Sequence, residues 1–143
     1  INTLGERDYD HSGSPLPLTS KWSGSLNIDY RVKTDGGTPF VGVSINARSS
    51  SDAVIAADKL NYFDRPLTST APGVDCVFCI DGYATVDARL GYEAADGRWK
   101  ATIWGKNVFD KYYWTYVDQS YDSAARYTGM PATYGVSFAF KFD

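Results

Sequence analysis

Trp22-Ser23-Gly24-Ser25-Leu26-Asn27-Ile28-Asp29-Tyr30-Arg31-Val32-Lys33-Thr34 alternates without interruption. Trp22, Gly24, Leu26, Ile28, Tyr30 and Val32 fall on one parity; Ser23, Ser25, Asn27, Asp29, Arg31 and Lys33 fall on the other. Successive side chains of a strand point to opposite faces, so this stretch predicts a β-strand over about 22–34 with one apolar and one polar face. Asp35-Gly36-Gly37 supplies turn residues that tolerate positive φ. The run over about 38–50 then sets Val41, Val43, Ile45 and Ala47 against Gly42, Ser44, Asn46 and Arg48, which predicts a hairpin.

The same period returns three times, over about 82–93, 98–106 and 132–142, and in none of the five runs does the apolar parity contain a charged residue. Ala94-Ala95-Asp96-Gly97 is a tight turn between the third and fourth runs. The stretches over about 51–81 and 107–131 break the alternation and read as long loops, the first with a short helical turn around Asp52–Leu60. The expected fold is all-β: an antiparallel meander in which very short turns alternate with long loops. That asymmetry, with strands of about the 9–11 tilted residues that cross a bilayer, is the pattern of a transmembrane β-barrel wall. With the short turns on the periplasmic side, Tyr30, Tyr92, Trp99, Phe140 and Phe142 form one aromatic girdle on the apolar face. Trp22 and Tyr134 then mark the other.

Composition agrees. The 143 residues form one domain of 15.8 kDa with 15% aromatics, a net charge of −3 and a mean hydropathy of −0.32. No basic field invites nucleic acid, and the longest apolar run, Ala53–Ala57, is far too short for a spanning helix. The chain opens on Ile1 with no cationic-then-apolar leader, so any signal peptide or upstream sequence is expected to be already gone.

Gly82-Tyr83-Ala84-Thr85-Val86-Asp87-Ala88-Arg89-Leu90-Gly91-Tyr92, then Asp96-Gly97-Arg98-Trp99, then Trp104-Gly105-Lys106-Asn107-Val108-Phe109-Asp110-Lys111-Tyr112-Tyr113, closely resembles the C-terminal barrel region of TonB-dependent outer-membrane receptors. Val108 stands where the family usually has Leu. Pro17 to Leu26 is similar to the family's approach to an earlier strand, so the resemblance runs from about Pro15 to the C-terminus. It implies that residues 1–143 are the last five strands of such a receptor, in the bacterial outer membrane. The parent would be a plugged barrel of about 22 strands that imports a scarce ligand: a siderophore, a cobalamin-like molecule or a carbohydrate. The implied partners are outer-membrane lipid, the remaining strands and plug, the TonB protein through an N-terminal part absent from this sequence, and the barrel-assembly machinery. Tyr134, Val136, Phe138, Phe140 and Phe142 resemble the β-signal read by that machinery, although Asp143 follows the final aromatic.

Ligand contacts are expected from the long loops. Tyr112, Tyr113, Trp114, Tyr116 and Tyr121, with Asp118 and Gln119, form an aromatic and polar set suited to stacking on sugars or iron chelates, and Tyr62 and Phe63, between Asn61 and Asp64, form a smaller one. The same Tyr-rich segments could instead extend the strands and pack on each other. The polar parity carries Asp29, Arg31, Lys33, Arg48, Asp87, Arg89, Lys100 and Lys106, either a solvated wall pairing across strands or a seat for the plug. Cys76 and Cys79 suit a local disulfide, since a strand rather than a helix follows them. A metal site would need further ligands, and the single histidine, His11, is remote in sequence. No cofactor is expected, and nothing converges as a catalytic site. Five strands cannot close a barrel, so two other readings stand beside the receptor: a released fragment that self-assembles through its edges, and a soluble β-sandwich that binds glycans.

Overall fold

The computed structural model describes residues 12–55, 57, 76–120 and 123–142. Among them the strands are β1 (Ser23–Arg31), β2 (Gly37–Arg48), β3 (Ser51–Asp52), β4 (Cys79–Ile80), β5 (Tyr83–Ala94), β6 (Trp99–Lys106), β7 (Trp114–Ser120), β8 (Ser123–Thr128) and β9 (Thr133–Phe140). β1, β2, β5, β6 and β9 form one sheet in that order, every pair antiparallel, an up-and-down meander with β1 and β9 at its edges.

The register carries the alternation across the whole sheet. One row reads Tyr30, Val41, Leu90, Ile103, Val136, and the next reads Ile28, Val43, Ala88, Gly105, Tyr134. A slip of one residue at any pairing would turn a strand's apolar set over to the polar face, so this register is the one that keeps the apolar residues of all five strands on one side. The apolar face is unusual in its exposure: Leu26, Ile28, Tyr30, Leu90, Ile103, Val136, Phe138 and Phe140 are each more than half exposed. Contiguous apolar surface on this scale marks an interaction with protein or membrane. Among the described residues no second sheet lies over it, unlike the two layers of a sandwich.

The turns joining β1 to β2 and β5 to β6 are tight. Thr34 and Gly37 exchange backbone hydrogen bonds of 2.8 and 3.2 Å, and Gly97, at φ 67°, donates to the Ala94 carbonyl at 2.9 Å. The opposite end differs from the sequence expectation. The stretch 107–131 is not a plain loop, because β7 and β8 pair within it as a hairpin. The ends of 51–81 also pair, Ser51 with Ile80 and Asp52 with Cys79. Asp52 therefore extends as strand where a helical turn was expected to begin; of the remaining stretch to Leu60, residues 56 and 58–60 lie outside the described residues. The buried core sits here rather than under the sheet. Ala53, Ala57, Phe78, Ile80 and Val117 cluster, with Val54, Val77 and Trp114 against them.

Candidate functional site: a polar wall beneath an outer cap

The polar face of the sheet is built around small residues. Asp29, Gly42 and Arg89 are opposite one another on β1, β2 and β5. Arg89 reaches across the glycine to donate to Asp29 Oδ1 from Nε at 3.2 Å and Nη2 at 2.5 Å. A Cβ on Gly42 would come within 2.5 Å of both partners. Both side chains are about half exposed, so water screens the pair and it adds little to stability. Nearer the short turns, Phe40 breaks the polar parity yet is only 5% exposed. Its ring lies over Gly91, where a side chain would collide with it, and Lys100 and Arg31 approach its centroid at 4.7 and 5.2 Å. Arg31 also faces Glu93 at 3.9 Å. Trp104 repeats the device, with its indole over Gly135 and its Nε1 donating to Ser137 Oγ at 3.1 Å. A cleft of about 210 Å³ opens between Ser44, Asp87, Arg89, Trp104 and Lys106.

At the end remote from the short turns, two polar nodes tie the sheet to the loops above it. Arg48, at the end of β2, donates from Nε to Ser20 Oγ at 2.8 Å and from Nη2 to the Leu18 carbonyl and Ser51 Oγ, while its guanidinium lies 5.9 Å from the Tyr83 ring centroid. Asn107, immediately after β6, is 4% exposed. Its Nδ2 donates to the carbonyls of Lys111 (2.9 Å) and Met130 (3.0 Å), its Oδ1 accepts from Lys111 N (2.9 Å), and its own N–H donates to Asp87 Oδ1 (2.9 Å). Asp110 Oδ1 accepts from Ala132 N at 2.8 Å. Asn107 and Asp110 both take left-handed backbone conformations, at φ 48° and 51°, which short side chains of this kind tolerate. The stretch from Asn107 to Asp110 is thus an elbow: it ends β6, throws the chain into β7 and receives it again before β9.

Above the elbow the two long loops form one cap. Cys76 and Cys79 are joined in a disulfide, and between them Phe78, 1% exposed, enters the cap core beside Val117 of β7. Arg126 of β8 closes the other side, donating to the Val77 carbonyl at 3.1 Å and lying 5.2 Å from the Trp114 ring centroid.

The aromatic set expected to meet a ligand is divided by this arrangement. Trp114 packs on the cap core, with Tyr112 edge-on at 5.1 Å. Tyr113 stacks on Tyr83 at 4.0 Å. Tyr116 pairs instead with Tyr127 across the hairpin at 5.8 Å, exposed, and Asp118 is also exposed. Tyr121, Tyr62, Phe63 and His11 lie outside the described residues. Tyr134, Val136, Phe138 and Phe140 share the exposed apolar face, where Trp99, Phe138, Phe140 and Phe142 run as neighbouring rings 4.5–6.3 Å apart. Among the described residues no cluster of His, Cys, Asp or Glu could hold a metal ion. Phe40, Tyr83, Arg126 and Tyr127 were not singled out from sequence. An aromatic and a glycine at matching parity on adjacent strands, as in Phe40 and Gly91, is the one signal that could have found the first of them, and it needs the register.

No family model matches the chain, and neither does any curated protein. Among solved structures, the ferric yersiniabactin uptake receptor FyuA from Yersinia pestis superposes on 93% of it, with a TM-score of 0.69 at 19% identity. The chain has the fold of a TonB-dependent receptor's barrel wall. It spans 18% of that receptor's length, so the wall is a partial one, with an unpaired edge at β1 and another at β9. In a closed barrel of this type the uncharged face is the outer surface and the polar face lines the lumen. In this wall the Asp29–Arg89 pair, Phe40 and Trp104 lie on the polar face, and the cap stands at the end remote from the short turns.

Proposed function

We propose that this chain is the closing stretch of wall in a TonB-dependent receptor of the bacterial outer membrane, and that its parent imports a scarce ligand captured outside the cell. The observation that carries this reading is the exposed, uncharged apolar face running through all five strands of the meander, backed by a polar face. Lipid covers such a surface, whereas water does not. The fold likeness to an uptake receptor supports transport rather than catalysis. With the short turns in the periplasm, the cap of β3, β4, β7 and β8 faces outward, and Tyr112, Tyr116 and Asp118, with Tyr113 and Trp114 behind them, are the described residues nearest an arriving ligand. Tyr134, Val136, Phe138, Phe140 and Phe142 serve as the signal for the barrel-assembly machinery, and the plug and the TonB contact belong to other parts of the parent.

The test is the gel migration, unheated and heated, of detergent-extracted material carrying this sequence, with its intact mass. A larger, heat-modifiable species with additional sequence is expected. A soluble monomer of 143 residues would refute the reading in favour of a free-standing module. A sedimenting assembly of the chain alone, with a spacing of about 4.7–4.8 Å, would refute it in favour of edge pairing between copies.

A further inference from the structure

We infer that aromatic rings laid over glycines are the register stops of this wall, a conformational device that keeps its strands in step independently of the cap; the inference goes beyond the import reading. The two-faced pattern opposes a slip of one residue but not a slip of two, which returns every apolar side chain to the apolar face. A second feature must forbid the longer slip. Between β1 and β2, and between β5 and β6, a tight turn does so, because turn type and loop length fix the register of a hairpin. No such turn joins β2 to β5 or β6 to β9, where the chain returns only after residues 49–82 and 107–132.

Those two pairs carry rings over glycines, one on each face of the sheet. Between β6 and β9 the exchange is reciprocal, with Gly105 opposite Tyr134 and Trp104 opposite Gly135. On the apolar face a Cβ on Gly105 would stand 2.8 Å from the Tyr134 ring; on the polar face a Cβ on Gly135 would stand 2.7 Å from Trp104 Cε2. Each ring is tethered beyond its glycine. The Tyr134 hydroxyl donates to the Val108 carbonyl at 3.0 Å, and Trp104 Nε1 donates to Ser137 Oγ at 3.1 Å. Between β2 and β5, Phe40 covers Gly91 on the polar face, and Tyr92 covers Gly37 on the apolar face, its Cζ 2.7 Å from a Cβ placed there. At Gly24, Gly42, Gly91 and Gly105 the nearest atoms include no ring from a turn-joined neighbour. Tyr113 lies over Gly129 in the same manner, but in the cap, outside the sheet.

A slip of two residues would set Trp104 opposite Thr133 or Ser137, Tyr134 opposite Ile103 or Asn107, and Phe40 opposite Arg89 or Glu93. Every one of these carries a Cβ where the glycine now leaves room, so the ring must leave its seat. The stops therefore stand on the pairs that no tight turn aligns, and the stretch 107–132 can loosen without loss of register below it.

The test reads register by disulfide cross-linking in the intact receptor that carries this chain, in detergent, and its readout is the same whatever the parent imports. Ala139→Cys with Lys100→Cys reports the native register of β6 and β9, and Ala139→Cys with Thr102→Cys a slip of two residues. For β5 and β6, Leu90→Cys is paired with Ile103→Cys or, for the slip, with Ala101→Cys. A flexible Gly-Ser insertion between Asp96 and Gly97 should raise the slipped product of β5 and β6, whereas the same insertion between Gly129 and Met130 should leave β6 and β9 in register. Trp104→Leu with Gly105→Ala unseats both rings and leaves β9 unaltered apart from the reporter; it should raise the slipped share of β6 and β9 about tenfold, the scale of a misfit in a packed core. Trp99→Leu removes a ring of the same strand that covers none of these glycines, and should not. Where the double substitution fails to assemble, Trp104→Leu alone should give a smaller rise in the same direction. Native register kept after the rings are unseated overturns the inference, as does slippage on Trp99→Leu equal to that on Trp104→Leu, or slippage on the insertion at Gly129.

Discussion

Leu90→Arg separates a lipid-facing wall from a water-facing one by sign. Leu90 is 59% exposed and lies in the uncharged row between Val41 and Ile103. β5 spans Tyr83–Ala94, so its centre falls between Ala88 and Arg89. Leu90 is then about 5 Å along the strand from the centre at ~3.3 Å per residue, or about 4 Å in depth at a ~45° tilt. The apolar band of such barrels extends about 12 Å to either side of the midplane, so the substitution places a guanidinium near its most costly depth, a loss of about 2–4 kcal/mol. That corresponds to a folding constant lower by a factor of roughly 30 to 1,000. In water the same change at an exposed position would fall within about 0.5 kcal/mol of neutral and would raise solubility. The assay is urea unfolding of the receptor in lipid vesicles, followed by tryptophan fluorescence and by unheated gel migration. Ser44→Arg serves as control: it lies on the polar face opposite Asn27 and Asp87, near the middle of β2, and should be within about 0.5 kcal/mol of wild type. Equal effects of the two substitutions, or a neutral Leu90→Arg, would refute the assignment of faces.

Asn107→Ala removes three side-chain hydrogen bonds from a buried position and leaves the Lys111 N–H and two carbonyls without that partner, so amide exchange over 111–130 should quicken by a factor corresponding to about 2–3 kcal/mol, while exchange in β5 stays slow. Reduction of Cys76–Cys79 opens a ring closed over a sequence separation of 3, worth about 2 kcal/mol on the chain-entropy account; it should expose the cap to protease with no change in the heat-modifiable migration of the barrel. Gly91→Ala drives a methyl group into the Phe40 ring and should lower the unfolding midpoint by the equivalent of about 1–3 kcal/mol, with Gly24→Ala, which meets nothing within 4 Å, as the neutral comparison.

The wall was legible because a two-faced strand writes its orientation into every second residue, and here five strands repeat the same rule with no charge on the apolar side. The cap was not, for reasons that are local. β3 and β4 are two residues each, too short for any period to show. β7 does alternate, but an irregularity between Trp114 and Tyr116 shifts its phase. Trp114 and Val117 therefore meet the core while Tyr116 turns away, and an aromatic run that reads as one surface is split between two. Phe40 reads as misplaced until Gly91 is seen opposite it. The Asn107–Asp110 elbow was visible as part of a resembling motif, yet its role depends on Lys111, Met130, Asp87 and Ala132, which only the fold brings together.

Wall and cap are held by different means, and this sets the order in which they fail. Each inner strand of the wall is paired on both sides through continuous backbone ladders. The cap buries Phe78, Ile80 and Val117 as its only fully enclosed large side chains among the described residues, a gain of about 1.5–3 kcal/mol each. The cap is also fastened by side-chain ties: by the disulfide within it, by Arg126 across it, and by Arg48 and Asn107 beneath it. Loosening any of these lowers the order of the cap without touching the ladders below. On the proposed function the cap takes part in ligand capture, so capture should be lost under milder denaturant than the compact, heat-modifiable form of the barrel, and a receptor in which both disappeared together would show that cap and wall are one cooperative unit.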